Sequence, residues 1–408
     1  MKIRRAWKYK LELTPHQEGT LSSWLSGLRW LYNLANEQRV LNYRQFRKNL
    51  GYFDQSAELP KLKKECPFLA EIPHCCLQQK LRDLDAAYKS FFKQGRGFPN
   101  FKKRGQGESA RFPDGKGTPV SYRKGKRTSF VRIPRLGLIK FISSQPILGT
   151  IKNCTITRRA GSYYISFQTE YEAVILKNKK NPVGIDMGVT NFVTTSNGTH
   201  IEAPTERIKR LEKKLAREQR KLSRKEKGSK NKDKQRARVA KLHLKISNIR
   251  KDAIHKTTSQ LVKNHGTVVV ENLDIKSMAA SAAGTVESPG TSVAQKRGLN
   301  RAIMRQGWFE FKRQLSYKLE WSGGELIKVA PRYTSQACSE CGHVEKSNRN
   351  KEKFACTLCG YKDHADINAA KNILALGHSA SVCGETSAGP AAKTAGRRVS
   401  RKQKPTGA

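Results

Sequence analysis

Apolar and charged residues alternate at the start of the chain, and this pattern predicts a strand with one buried face. Trp7, Tyr9, Leu11 and Leu13 share one side of the strand, and charged residues lie between them. A period of two is typical of a half-buried strand. We therefore expect residues 3–13 to form the first strand of a sheet.

The alternation returns at about 128–172, where several further strands are predicted. Two helices with apolar stripes at helical spacing precede them, at about 15–35 and 76–93. Thr14-Pro15 marks the start of the first helix, because threonine is a good cap and proline fits the first helical position. We expect the opening strand to join the later sheet, with the helices and a mixed segment around Pro60 inserted between.

The second half predicts three meandering strands, then helix, strand, helix, strand and helix. Asn197-Gly198 is typical of the hairpin turn before the third strand. The long helical section is strongly basic, carries a thin apolar seam and breaks at Gly228-Ser229, which indicates a helical hairpin. The predicted elements are strands at 183–189 and 192–196, the hairpin at 205–263, a strand at 267–271, a lid loop at 276–300, a helix at 301–321, a strand at 326–329 and a helix at 366–376.

The charge balance indicates a polyanionic partner. The chain has 408 residues, with 80 Lys and Arg against 33 Asp and Glu, and a formal net charge of +47. Nucleic acid is the expected partner for such an excess. A basic ribosomal protein is the alternative, although it needs no clustered acids. We expect no membrane partner and no secretion, because neither a long apolar run nor an apolar signal core is present.

Four of the nine cysteines fall in two close pairs, which predict a zinc ribbon. Cys338 and Cys341 form the first pair, and Cys356 and Cys359 form the second after fourteen intervening residues. Four thiolates make a closed tetrahedral site, so the zinc ion is expected to be structural rather than catalytic. The other five show no disulfide framework, which fits a reducing cytoplasm. They are Cys66, Cys75, Cys76, Cys154 and Cys383.

Three acids lie where the order of elements, which is that of a ribonuclease H-like fold, would bring them together. Asp186 lies near the end of one predicted strand, Glu271 ends another, and Asp366 opens the last helix. Three convergent carboxylates suit two Mg²⁺ or Mn²⁺ ions and phosphodiester hydrolysis. Each acid also has an ordinary interpretation, as a turn acid, a solvated strand end or a partner of the helix dipole. Asp363, close by, fits a helix cap.

Four motifs together resemble the TnpB family of transposon-encoded RNA-guided DNA endonucleases, which are related to type V CRISPR effectors. The motifs are Gly184-Ile185-Asp186-Met187-Gly188, Val270-Glu271-Asn272-Leu273, Ser335-Gln336-Ala337-Cys338-Ser339-Glu340-Cys341-Gly342 and Asp366-Ile367-Asn368-Ala369-Ala370. The resemblance implies a multidomain α+β protein. Its expected parts are a wedge β-barrel at 1–14 and 110–180, a helical recognition insert at 15–109, an RNase H-like (RuvC) α/β nuclease domain at 181–330 and 363–378, an inserted zinc-ribbon segment that binds target nucleic acid at 331–362, and a disordered basic tail at 379–408.

The resemblance also implies how the work is divided. Asp186, Glu271 and Asp366 are the expected catalytic acids and hold two Mg²⁺ or Mn²⁺, while the four cysteines hold one structural Zn²⁺. A guide RNA derived from the transposon end pairs with double-stranded target DNA, and the protein reads a short adjacent motif. The protein is expected to be prokaryotic, cytoplasmic, nucleoid-associated, and monomeric or weakly dimeric.

Candidate nucleic-acid contacts lie in the first 105 residues. The loop at 95–105 combines Lys and Arg with two Phe, a composition that suits phosphate contact and base stacking. The alternative is a solvated loop whose Phe residues enter the core. Tyr52 and Gln78 are hypothesised to help read the adjacent motif, although an ordinary helix surface also accounts for Gln78. The full set is Tyr52, Gln78, Arg96, Phe98, Lys102, Lys103 and Arg104.

Three other functions stay open. A guided DNA-binding repressor would not cut, but its acids are expected to be lost. A direct DNA transposase would use the same acids for strand transfer at terminal repeats. An RNA-packaging protein would make the three acids a coincidence.

Overall fold

The computed structural model describes residues 1–113, 121–123, 125, 128–285 and 287–382. The chain is an α+β protein whose elements divide between two compact units. The first comprises Met1–Leu176 and Pro204–Ala253, and the second comprises Lys177–Ala203 and the chain from Ile254 onward. None of the helices in these described ranges has the length and apolar character needed to cross a membrane.

The first unit contains a seven-stranded antiparallel sheet in the order β2-β6-β7-β1-β5-β4-β3. The opening strand pairs with β7 along most of its length, from Lys2 opposite Glu172 to Lys10 opposite Tyr164, and its end pairs with β5. The predicted joining of the first strand to the later sheet is therefore confirmed. The strands are β1 Lys2–Glu12, β2 Ser109–Pro113, β3 Ser121–Arg123, β4 Thr128–Ile133, β5 Gly137–Ile142, β6 Thr150–Arg159 and β7 Ser162–Glu172.

Four helices are inserted after β1. They are α1 Pro15–Phe46, α2 Tyr52–Glu65, α3 Pro67–Ala70 and α4 His74–Gln94. The expected start of α1 is confirmed, because the Thr14 hydroxyl accepts from the Gln17 N–H and the Gln17 side chain accepts from the Thr14 N–H. The mixed segment around Pro60 was predicted wrongly, since it is helix α2. Burial of Leu59 contributes about 2–3 kcal/mol, which offsets much of the cost of a proline inside a helix.

The predicted basic helical hairpin is also confirmed. Its helices are α5 Thr205–Ser223 and α6 Lys230–Asn264, separated by a turn that includes Gly228. The apolar seam is buried and consists of Ile208, Leu215, Val239 and Ile246. The apolar seam that the sequence predicts is therefore the packed face of both helices.

The second unit contains a five-stranded sheet in the order β10-β9-β8-β11-β12, in which β8, β11 and β12 are parallel. The strands that carry Asp186 and Glu271 are therefore neighbours, β8 beside β11, as expected if the order of elements brings these acids together. A separate three-stranded sheet has the order β13-β14-β15. The strands are β8 Val183–Asp186, β9 Val193–Thr195, β10 His200–Ile201, β11 Thr267–Glu271, β12 Glu325–Val329, β13 Arg349–Asn350, β14 Lys353–Ala355 and β15 Lys362–His364.

The helices of the second unit correct two predictions. They are α7 Ile275–Met278, α8 Val293–Gln306, α9 Trp308–Trp321 and α10 Ala365–Val382. The single helix expected at 301–321 is two helices, because Gly307 adopts φ +71° and ends α8. Helix α8 begins inside the segment expected to be a lid loop. Most of the predicted tail, 383–408, lies outside the described residues.

The contact between α10 and β8 depends on the absence of a side chain at Gly184. A Cβ atom added there would lie 2.1 Å from the Ala370 carbonyl oxygen and 2.7 Å from the Leu374 nitrogen. Both are backbone atoms, which cannot move without moving the helix. Glycine therefore sets the distance between the helix that carries Asp366 and the strand that carries Asp186.

We expect Gly184→Ala to destabilise the protein by about 2–3 kcal/mol or more, because α10 must move away from β8. Thermal or denaturant unfolding measures this loss. Gly298→Ala is the matched control: Gly298 also belongs to the second unit and a Cβ there meets nothing within 4 Å. Equal stability of the two variants would contradict the close contact.

Candidate functional site

Three structural elements bring the predicted acids to one edge of the five-stranded sheet. Val270 lies opposite Ile185 in the parallel pair β11 and β8. The next residues, Glu271 and Asp186, end their strands and therefore lie at the same edge of the sheet. Asp366 lies in the first turn of α10, the helix that packs on β8. The edge formed by the carboxyl ends of parallel strands is a common location for binding sites in α/β sheets.

The electrostatics of Asp186 show that the three carboxyl groups are neighbours. Its pKa is raised to about 7, first by burial and then by the negative charges of Glu271 and Asp366. The positive charge of Arg349 and the Met187 N–H act in the opposite direction. Like charges held this close favour protonation or the binding of a cation. Carboxylate oxygens are the ligands that Mg²⁺ and Mn²⁺ prefer, so the residues fit such ions.

The other two acids each have a partner on the segment that carries the cysteines. Thr334 Oγ1 donates a hydrogen bond to Glu271 Oε1 at 2.5 Å. Arg349 Nη2 donates to Asp366 Oδ1 at 2.8 Å and forms an ion pair with it. Neither partner was predicted, and the sequence carries no pattern that would have identified them, because both contacts depend on how the cysteine-bearing segment folds.

Asp363 does not take part in this cluster. Its Oδ2 accepts from the Tyr361 hydroxyl at 2.6 Å and from Lys371 Nζ at 2.9 Å. Hydrogen bonds from Tyr361, Lys371 and the His364 N–H lower its pKa against the opposing effect of burial. Asp363 is therefore a structural acid that is already paired, three residues from one that belongs to the cluster.

The four cysteines form a second candidate metal site. Their sulfur atoms all lie within 4.8 Å of one another, with Cys338 and Cys359 Sγ 3.7 Å apart and Cys341 and Cys356 Sγ 3.6 Å apart. Gly342 and Gly360, which follow the two pairs, adopt φ +75° and +73°, as a zinc knuckle requires. The thiol set fits one tetrahedral Zn²⁺.

The thiols and the carboxylates differ in how closely their ligand atoms approach. In the described ranges, the cysteines are the one set of three or more His, Cys, Asp or Glu whose ligand atoms lie close enough together to hold an ion as they stand. Glu271 is turned toward Thr334 and Asp366 toward Arg349. The three carboxylates must therefore come closer together when they bind a cation.

The predicted nucleic-acid contacts all lie in the first unit and differ in exposure. Phe98 is 46% exposed and packs its ring edge-on against Tyr88 and Phe91, at centroid distances of 5.5 and 5.3 Å. Phe92, which was not predicted, is 70% exposed and belongs to the same aromatic cluster. Phe98 therefore does not enter the core, and base stacking by this loop stays a prediction.

The basic residues of the loop divide into two groups. Arg96, Lys103 and Arg104 are exposed. The Lys102 ammonium instead lies 3.8 Å from the centre of the Tyr32 ring, and burial lowers its pKa. Lys102 therefore contributes to packing as well as to charge.

The two residues hypothesised to read an adjacent DNA motif are both partly buried. Tyr52 begins α2, and the Arg82 guanidinium lies 4.9 Å from its ring centre. Gln78 lies on α4. Their role in reading DNA stays a prediction.

Two family models match parts of the chain that include most of the second unit. One described as "Probable transposase" (OrfB_IS605) matches residues 166–282. Another, described as "Cas12f1-like, TNB domain", matches residues 308–373. These ranges contain all three acids and all four clustered cysteines.

Two relatives match nearly the whole chain. The "Putative RNA-guided DNA endonuclease InsQ" of Escherichia coli K12 is 41% identical over 389 residues, which cover 94% of this chain and 95% of that protein. A "Putative RNA-guided DNA endonuclease" of Streptomyces pristinaespiralis is 32% identical, covering 94% and 92%. The protein in the "Cryo-EM structure of the Cas12f1-sgRNA-target DNA complex" has a similar fold, with a TM-score of 0.54 at 16% identity, covering 91% of this chain and 98% of that one.

The pKa of Asp186 leads to a prediction about stability. An unfolded Asp titrates at about 3.9, so in the metal-free protein ionisation of Asp186 costs stability progressively as pH rises from about 4 to 7. A divalent cation favours the ionised form and removes this cost. We expect the rise in Tm caused by Mg²⁺ to be larger at pH 8 than at pH 5.5.

The Asp186→Asn variant tests the same prediction. It should raise the Tm of the metal-free protein at pH 8, because the repulsion among the carboxylates is reduced, and it should abolish the Mg²⁺ effect. A Mg²⁺ response in this variant equal to that of the unchanged protein would show that the acids do not bind the ion. Differential scanning fluorimetry at the two pH values gives both results.

Removal of zinc should loosen the cysteine-bearing segment. We expect Cys356→Ser to release one Zn²⁺ per chain and to make 331–364 sensitive to proteolysis, because a structural zinc contributes directly to folding. Zinc content and the protease cleavage sites are the measurements. Cys66→Ser is the control, since Cys66 lies outside the cluster; unchanged protease resistance of Cys356→Ser would count against the zinc site.

Proposed function

The chain belongs to the TnpB family of RNA-guided DNA endonucleases, and from this premise we propose that it cuts double-stranded DNA for a transposable element under the direction of a guide RNA. The observation that carries the proposal is the gathering of Asp186, Glu271 and Asp366 at one sheet edge of a strongly basic chain. The near full-length match to relatives named as RNA-guided DNA endonucleases supports it.

The proposed division of labour explains the net charge of +47. A guide RNA derived from the transposon end selects the target by base pairing, and the protein holds the RNA and the heteroduplex by their backbones. Neutralising many phosphates requires many Lys and Arg residues. The protein itself reads only a short motif beside the target, for which Tyr52 and Gln78 are the candidates.

We propose that the three acids hold two Mg²⁺ or Mn²⁺ ions. Such a pair of ions would supply an activated water and would stabilise the leaving oxygen in phosphodiester hydrolysis. The chain's contribution is to gather three carboxylates at the sheet edge where β8 and β11 end, with Asp186 mostly buried. Thr334 and Arg349 orient two of them by the contacts described above.

We propose the domain boundaries that the family implies. The wedge region is 1–14 with 110–180, and the helical recognition insert is 15–109. The RuvC-like nuclease domain is 181–330 with 363–378, and the zinc ribbon at 331–362 contacts target nucleic acid. In the recognition insert, the exposed Arg96, Lys103 and Arg104 are proposed to contact phosphates, and the exposed rings of Phe92 and Phe98 to stack on bases.

Two other functions use the same fold and are distinguished by their products. A guided repressor would bind a matching duplex without cutting it. A direct transposase would join DNA ends rather than release two cut ends. The presence of all three acids favours cutting over binding alone.

The experiment is to purify the protein with its bound RNA, sequence that RNA, and incubate the complex with a matching duplex and Mg²⁺. We expect cleavage of both strands. Asp186→Ala should reduce cleavage by at least 10³-fold, on the order of the loss of a whole catalytic unit, while target binding persists. Binding without cleavage by the unchanged protein would support the repressor instead.

Asp363→Asn is the matched control for Asp366→Asn. The two carboxyl groups are three residues apart, but Asp363 is paired with Tyr361 and Lys371 and lies outside the acid cluster. We expect Asp366→Asn to abolish cleavage and Asp363→Asn to retain it. The reverse result would move the third acid to Asp363.

A further inference from the structure

The segment that holds the cysteines touches two of the three acids. Thr334, four residues before Cys338, donates to Glu271, and Arg349, between the two cysteine pairs, donates to Asp366. Both acids belong to the framework of sheet and helix, whereas both donors belong to the zinc-ribbon segment. The orientation of these two carboxylates therefore depends on where that segment lies.

Hydrogen bonds fix both the side chain and the backbone of Thr334. Its side chain is directed at Glu271, and both residues are buried, at 4% and 8% exposure. Its backbone carbonyl accepts from Asn372 Nδ2 at 2.9 Å. The same Asn372 amide donates to the Ala337 carbonyl at 2.7 Å. Helix α10 thus fixes the turn that carries the threonine.

The turn that carries Thr334 contains a strained residue, Tyr333, whose backbone conformation is stabilised by its surroundings. Tyr333 adopts φ +59°, in the left-handed region that a tyrosine rarely occupies. Its carbonyl accepts from the N–H groups of Gln336 and Ala337, both at 2.9 Å. Such a conformation persists only where the surrounding contacts determine it. Thr334 directly follows, so the backbone position that carries its hydroxyl is fixed as well.

A second asparagine connects this turn to the zinc knuckle. Asn368 is fully buried, one helical turn before Asn372 on α10. Its Nδ2 donates to the Ala337 carbonyl at 2.8 Å, and its Oδ1 accepts from the Ser339 N–H at 2.9 Å. Ser339 lies between the ligands Cys338 and Cys341. A continuous set of hydrogen bonds therefore runs from the zinc knuckle to Glu271.

We propose that Thr334 is a positioning residue for Glu271. Through Thr334 the zinc ribbon holds Glu271 in a fixed orientation, an effect that we call the brace, and so sets the affinity of the acids for divalent cations. The threonine occupies Oε1 and fixes the rotation of the carboxylate, which leaves Oε2 to bind an ion. This inference rests on the proposed function, because it requires the acids to be ion ligands. Loss of a hydrogen bond to a metal-ligating side chain typically weakens metal affinity about 10–100-fold.

The test measures Mn²⁺ binding by electron paramagnetic resonance on the RNA-bound protein without target DNA. Thr334→Val keeps the side-chain shape and removes the donor, and we expect it to weaken Mn²⁺ binding about 10–100-fold. Thr334→Ser retains the donor and should bind within a few-fold of the unchanged protein, on the order of the loss of one methyl contact. Thr258→Val is the control: Thr258 is also a buried threonine of the second unit, but its hydroxyl contacts the Ile254 carbonyl and Gln314 rather than one of the three acids.

Two further variants separate the brace from a general loss of stability. Asn372→Ala leaves the threonine hydroxyl in place and releases its backbone, so it should also weaken Mn²⁺ binding. Cys341→Ser opens the zinc site and should also weaken Mn²⁺ binding. Adding Thr334→Val to Cys341→Ser should cause little further loss of Mn²⁺ affinity, because both substitutions act on the orientation of Glu271. If Thr334→Val proves too unstable to assay, Asn372→Ala decides the outcome.

Three results overturn the proposal. Mn²⁺ affinity in Thr334→Val equal to that of the unchanged protein would show that the contact does not position Glu271. Equal weakening in Thr258→Val would show that the effect is nonspecific. If Asp186→Asn binds Mn²⁺ as the unchanged protein does, the acids are not the ion site, and the proposed nuclease function falls together with the brace.

Discussion

Repulsion among three carboxylates at the end of β8 is the constraint on which the arrangement of the second unit depends. Burial and the nearby charges of Glu271 and Asp366 raise the pKa of Asp186 to about 7. A fold that gathers such groups is less stable than one that keeps them apart. Packing elsewhere must offset this cost, and the buried core beneath the sheet, which includes Val183, Ile185 and Val268, is the main source.

Side chains from one segment of the chain relieve part of the repulsion among the three carboxylates. Arg349 pairs with Asp366 and lowers the pKa of Asp186, while Thr334 donates to Glu271. Both side chains come from the segment that the cysteines fold. A short segment of this kind has little apolar core: its buried cluster is four residues, Cys338, Phe354, Cys356 and Ala365. A bound metal is the usual way for so small a unit to become rigid enough to hold side chains in place.

The sequence was sufficient to locate the acids and the cysteines, because both follow from short-range patterns. Runs of branched apolar residues gave the strands whose ends carry Asp186 and Glu271, and pair spacing gave the zinc knuckles. The helix through Pro60 was missed because burial of Leu59 outweighed a local rule. The break at Gly307 was missed because a single glycine within a helical pattern is often tolerated. Thr334 and Arg349 could not be found, since their contacts join residues 63 and 17 positions apart through tertiary structure.

The large excess of Lys and Arg makes it informative that Asp186 forms no salt bridge within the described residues. With 80 Lys and Arg against 33 Asp and Glu, a basic partner is available for almost any acid. Glu108, Asp233 and Asp363 each have one, and so does Asp366. Within the described part of the chain Asp186 forms no salt bridge, although its pKa is raised by neighbouring acids. In a chain so rich in cations, a mostly buried carboxyl group without an ion pair is the arrangement expected if the proposed divalent ion supplies the missing positive charge.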